Sequence, residues 1–237
     1  MSRRPTQVAL DVRRLVVLLT PVAVPVSMAG VFAALERRLP ARSAYTAGFA
    51  IYWAGWCLAL PVSVLGPRRA LRVLTAGRRP TGGETAALLL PVLGAAATEL
   101  VPGRGLIDRR VLATMAGTAA VNATLEELLW RGMFLEVFPD DPVRGALWPL
   151  AGFSVWHLAP QIVLPSRHGR AGFVLGAAVV GAASTYVSWR TRGLRWVLLP
   201  HVATDACGVE PARFRLGLRR GEDERGTSAS ARCSPRW

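Results

Sequence analysis

Asn122-Ala123-Thr124-Leu125-Glu126-Glu127-Leu128-Leu129-Trp130-Arg131 places two carboxylates and a guanidinium inside an otherwise apolar run from Val111 to Phe138. On a helix, Glu127 and Arg131 are four apart and share a face, in the favourable acid-before-base order. Glu126 lies about 100° away around the helix. Its i+4 neighbour is Trp130, which cannot pair with it as an ion, and Asn122, one turn earlier, is placed to hydrogen-bond it. The expected division of labour is a Glu127 held by Arg131 and a Glu126 facing a cavity, open to proton transfer.

Working outward, the rest of the chain is built for a bilayer. Half of its 237 residues are hydrophobic, and the charges fall in short runs between long apolar stretches. About 20 apolar residues span the hydrocarbon, so this pattern predicts membrane helices. Apolar runs cover residues 15–35, 44–65, 85–101, 111–138, 145–164, 171–189 and 194–208. The expected fold is therefore all-α, a polytopic transmembrane bundle of about seven helices around an intramembrane polar cavity. The 85–101 run, short and carrying Glu99, reads as a span or a re-entrant piece. The first run is followed directly by basic residues, which fits a retained span rather than a cleaved leader.

Residues 1–208 read as one multi-pass membrane domain, with a motif-bearing core at about 111–208. Residues 209–237 are rich in arginine and acid, poor in large apolar residues, and read as a disordered tail. Small residues Gly172, Gly176, Ala177 and Gly181 recur along one helix, where they allow close backbone approach.

The net charge is +14, and all 29 basic residues are arginine. The arginines lie in interhelical turns and the tail rather than on one face, which argues for lipid headgroups as partners and against nucleic acid. The N-terminus and the 66–80 loop, with Arg68, Arg69, Arg72, Arg78 and Arg79, read as cytoplasmic. Three cysteines, Cys57, Cys207 and Cys233, show no CxxC spacing and read as packing residues.

An ionisable residue at the centre of a membrane helix costs about 2.5–3.5 kcal/mol and is usually functional. Beyond the quoted stretch, two further apolar segments carry such groups: Phe153-Ser154-Val155-Trp156-His157 and His201-Val202-Ala203-Thr204-Asp205. His201 and Asp205 share a helix face. The third histidine, His168, sits in a polar turn and reads as solvated.

Together, Glu126-Glu127-x-x-x-Arg131, Phe153-x-x-x-His157 and His201-x-x-x-Asp205 resemble the CAAX protease and bacteriocin-processing family of intramembrane endopeptidases, over roughly Val111 to Gly208. The resemblance implies a cell-membrane peptidase acting on a peptide or membrane-protein substrate. It implies Glu126 as the base that activates water, assisted by His157, with Glu127 and Arg131 as a structural ion pair. It implies His201 and Asp205 at the oxyanion. An ionised aspartate donates no hydrogen bond, so orienting His201 is the role expected of Asp205. A metal-free mechanism is favoured. If a metal were used, Glu126, His157, His201 and Asp205 are the candidate zinc ligands, although no His-Glu-x-x-His is present. The alternatives are a non-catalytic scaffold or immunity protein, and a transporter, which would show repeated halves that this sequence lacks. Oligomeric state is not legible.

Overall fold

A computed structural model describes residues 5–208, so the tail read at 209–237 and Cys233 lie outside the described residues. Within them the chain is helical, without strands. Eight helices follow in order: α1 Pro5–Glu36, α2 Ala41–Leu65, α3 Pro67–Thr75, α4 Gly82–Gly103, α5 over 109–137, α6 over 143–156, α7 Gly169–Thr191 and α8 Arg195–Gly208. The count exceeds the expected seven by α3, which lies where the sequence reads as a basic loop. Its arginines are exposed while Ala70 and Val73, three apart, turn inward, and Gly66 at φ 79° makes the turn that separates it from α2.

Among the described residues, four helices are long and apolar enough to cross a membrane: Asp11–Glu36 within α1, α2, α4 and α7. The 85–101 segment is therefore part of a full-length helix. Thr81 starts it with a capping box: its hydroxyl accepts from the Glu84 amide, and the Glu84 carboxylate accepts from the Thr81 amide. The outer surface is apolar, with Leu90, Leu93, Leu175 and Leu199 all strongly exposed. Such a surface suits lipid and is unfavourable in water.

Helix α5 is the axis of the bundle. Every residue from 126 to 135 is buried, as expected of a helix covered on all sides. On one side Trp130, Met133 and Phe134 join α1, α2 and α6 through Val24, Met28, Phe32, Tyr52, Phe153 and Trp156. On another, Leu128 and Leu135 join α3, α4, α7 and α8 through Val73, Leu88, Val187 and Val197. The Glu-Glu pair thus enters a fully protein-lined interior. Backbone bonds from Leu194 to Val73, Arg195 to Ala76 and Arg78 to Thr191 tie the α7–α8 turn to the end of α3 and the chain that follows it.

Helix α6 ends at Trp156, earlier than the 145–164 run suggests, and a turn followed by a 3₁₀ segment, Pro160–Ile162, carries the chain on. Close approach concentrates at fewer small residues than the α7 row implies. Ala177 and Gly181 are buried, but Gly172 and Gly176 are exposed. Helices α6 and α1 approach closely: a methyl group built on Gly152 would lie 2.6 Å from Pro21 Cα and 2.8 Å from the Trp130 ring. Gly152→Ala is therefore expected to destabilise the protein by roughly 1–3 kcal/mol, as overpacked cores do. Gly176→Ala, whose added methyl meets nothing within 4 Å, should leave stability near wild type. Thermal unfolding in detergent compares the two.

Candidate active site

The site is assembled where α2, α5, α6 and α8 meet. Glu126 and Glu127 leave adjacent positions on α5, immediately before a π-helical turn, Leu128–Gly132. Consecutive positions on a helix point about 100° apart, so the two carboxylates meet different neighbours.

Glu127 is fully buried. Its Oε1 lies 3.4 Å from Arg131 Nη1 and 2.7 Å from His201 Nδ1 on α8. Arg131 is itself anchored: Nε donates to Thr185 Oγ1 (3.3 Å), Nη2 donates to the Gly181 carbonyl (3.2 Å), and the guanidinium sits 4.1 Å from the Phe153 ring centroid. A buried ion pair with these additional partners is far better compensated than an isolated one.

Glu126 is 1 % exposed and ringed by donors. Its Oε1 accepts from Tyr52 Oη (3.0 Å) and from Trp156 Nε1 (2.9 Å). Its Oε2 accepts from Asn122 Nδ2 (3.2 Å) and lies 3.9 Å from His201 Nε2. Asn122 also donates to Asp205 Oδ2 (2.8 Å), and its own carbonyl accepts from Trp53 Nε1 (2.8 Å).

His201 stands between acids. Nδ1 faces Glu127, and Nε2 faces Asp205 Oδ1 at 3.5 Å as well as Glu126. Carboxylate oxygens accept, so this placement is satisfied when both ring nitrogens carry protons. Asp205 is the most open of the acids, its side chain 20 % exposed.

His157 is placed differently. At the end of α6 its Nδ1 lies 2.7 Å from the Phe153 carbonyl, which can only accept. That fixes Nδ1 as the donor and leaves Nε2 as the available nitrogen. The ring packs against Phe153 and Phe173, at 4.6 and 5.7 Å between centroids. The structure thus gathers Glu126, Glu127, Arg131, His201 and Asp205 into one polar group through Asn122, with His157 beside it across Phe153 and Trp156.

Both site histidines carry the carbonyl or carboxylate pairing that a metal-bound imidazole also takes. Among the described residues, however, no three His, Cys, Asp or Glu side chains come together as a metal site.

Sequence reasoning did not single out Tyr52, Trp53, Trp130 and Trp156 as polar partners. An aromatic in an apolar run reads as packing, and the only local signal was the presence of a hydroxyl or indole N–H needing a partner once buried. His168 and Glu99 also differ from expectation. His168 is not merely solvated: its Nε2 is bonded to Glu99 of α4, and Arg167 Nη2 reaches the same carboxylate at 2.9 Å. This clasp pins the turn before α7 to α4.

Fold and site together define a helical membrane protein with a buried carboxylate–histidine centre. Residues 108–207 match the family model described as Type II CAAX prenyl endopeptidase Rce1-like. The resemblance read from the three motifs is confirmed by this match. The matched segment contains α5 to α8, while α1 to α4, with Tyr52 and Trp53, precede it. No curated protein and no solved structure matches the chain.

Proposed function

We propose that this protein is a cell-membrane endopeptidase in which Glu126 activates the water that hydrolyses a peptide bond. The observation that supports this most is the state of the Glu126 carboxylate. Four lone-pair sites are available on its two oxygens. Tyr52 and Trp156 occupy those of Oε1, Asn122 takes one on Oε2, and among the described residues the remaining one, on the oxygen nearest His201, has no donor.

A water bonded to that oxygen would give up a proton to it as its own oxygen attacks the substrate carbonyl. The new carbon–oxygen bond forms and negative charge moves to the former carbonyl oxygen. His201 Nε2–H is the donor placed for that charge, in an interior where such a donor acts strongly. Asp205, which only accepts when ionised, orients His201 and Asn122. The carbon–nitrogen bond then breaks, and the proton held by Glu126 passes to the leaving amine. His157 Nε2 is the available nitrogen to assist this transfer. Glu127 and Arg131 hold His201 and α5 in place. The substrate is a peptide precursor, a lipidated or secreted peptide, or the terminus of a membrane protein.

Deleting the gene is expected to remove a set of processed N-termini from the membrane fraction. Unchanged termini would leave a non-catalytic, partner-binding role as the better account. Hydrolysis by a Glu126-activated water needs no metal, so incubating the purified protein with 1,10-phenanthroline or EDTA is expected to leave its peptidase rate unchanged. Loss of activity restored by added zinc would overturn it and assign Glu126, His157, His201 and Asp205 as ligands.

A further inference from the structure

We infer that Tyr52, on α2 and outside the segment that matches the family, is a positioning residue for the reaction: it holds one oxygen of Glu126 so that the other, Oε2, is the one that works. The inference rests on the peptidase reading and adds to it the choice of oxygen and the helix that enforces it.

The direction of the hydrogen bonds carries the argument. Trp130 Nε1 lies 2.7 Å from Tyr52 Oη, and an indole nitrogen can only donate. The phenol oxygen therefore accepts from Trp130 and sends its single proton onward, to Glu126 Oε1 at 3.0 Å. The chain runs one way, Trp130 to Tyr52 to Glu126. Trp156 donates to the same Oε1, and its ring is stacked on that of Tyr52 with centroids 3.8 Å apart. With two donors on Oε1, the carboxylate is fixed in rotation and cannot exchange its oxygens. Tyr52 itself has no exposed surface, so this phenol is committed to the interior.

The backbone of α2 is adapted to this task. Tyr52 opens a π-helical turn, Tyr52–Ala59, a departure from α geometry that is frequent at functional sites. Two successive residues of that turn reach the site, since Trp53 donates to the Asn122 carbonyl and thereby aims the Asn122 amide at Glu126 Oε2 and Asp205. α2 thus sets both oxygens of Glu126, one directly and one through Asn122.

Tyr52→Phe keeps the stacked ring and removes the hydroxyl, which is both the donor to Glu126 and the acceptor for Trp130. With a fluorogenic peptide spanning an N-terminus lost in the deletion strain, it is expected to lower kcat by roughly 10- to 100-fold, as loss of a bond to a charged group does, with KM within about twofold of wild type and a modest fall in unfolding temperature, because the buried Trp130 N–H loses its acceptor. Trp130→Phe, which removes the group that aims the phenol, is expected to lower kcat in the same way by a smaller factor. It also serves as the reporter if Tyr52→Phe does not fold. A wild-type kcat in Tyr52→Phe overturns the inference, as does a kcat loss that comes only with a matching rise in KM. Glu126→Gln separates the two claims: if it cleaves the peptide at the wild-type rate, the peptidase reading itself falls. If it is inactive while Tyr52→Phe is not, only the positioning role falls.

Discussion

Glu126→Gln is expected to lower peptide cleavage by the purified protein by about 10²- to 10⁴-fold, the range that general-base catalysis supplies. The substitution is close to isosteric, and the network dictates how it sits. Its carbonyl takes the Oε1 position, where Tyr52 and Trp156 both need an acceptor. Its amide then takes the Oε2 position, presenting N–H groups where a base is required. Asn122 loses an acceptor there but keeps Asp205. The protein should therefore fold and retain peptide binding, so the loss should appear in kcat. Equal rates for mutant and wild type would contradict the assignment.

Arg131→Met is expected to have the largest effect on stability, about 3–5 kcal/mol, because it leaves the buried Glu127 carboxylate with His201 alone to compensate it. Arg131 is 2 % exposed and Glu127 is fully buried, so water cannot replace the missing charge. The guanidinium also links α5 to α7 through Thr185 and Gly181 and covers the Phe153 ring of α6. Thermal unfolding in detergent measures the loss. Adding Glu127→Gln to Arg131→Met should recover part of it, since the buried charge is then gone. A single mutant of wild-type stability would mean that the pair is incidental.

What could be read from the sequence follows from the range of each interaction. The Glu127–Arg131 and His201–Asp205 pairs and the Asn122–Glu126 bond are all i,i+4, and helix periodicity alone places them. The bond from Glu127 to His201 spans 74 residues and has no local signature. It shows that Glu127 serves two partners, where spacing suggested one. The donors around Glu126 were hidden for a different reason. Tyr52 and Trp156 sit in apolar runs, and the pattern that marks a lipid-facing or packing aromatic is the same as that of one whose polar tip points inward.

The fold was legible to a similar depth. Long apolar runs identify α1, α2, α4 and α7 because length and hydropathy are local properties. Helix α3 escaped because its arginines dominate the reading of nine residues, while only Ala70 and Val73 report its inward face. The role of α5 as the covered axis was foreshadowed only indirectly. A helix that carries Glu126, Glu127 and Arg131 in apolar surroundings must be enclosed by others, but which helices enclose it is a matter of tertiary packing.

The account turns on Glu126, and the most direct measurement is a survey of protein N-termini in membranes from three strains: wild type, gene deletion, and Glu126→Gln at the native locus. Loss of the same processed termini in the glutamine and deletion strains, with normal amounts of the mutant protein, is the predicted result, and those termini would identify the substrates. A glutamine strain that matches wild type while the deletion strain does not would contradict the account.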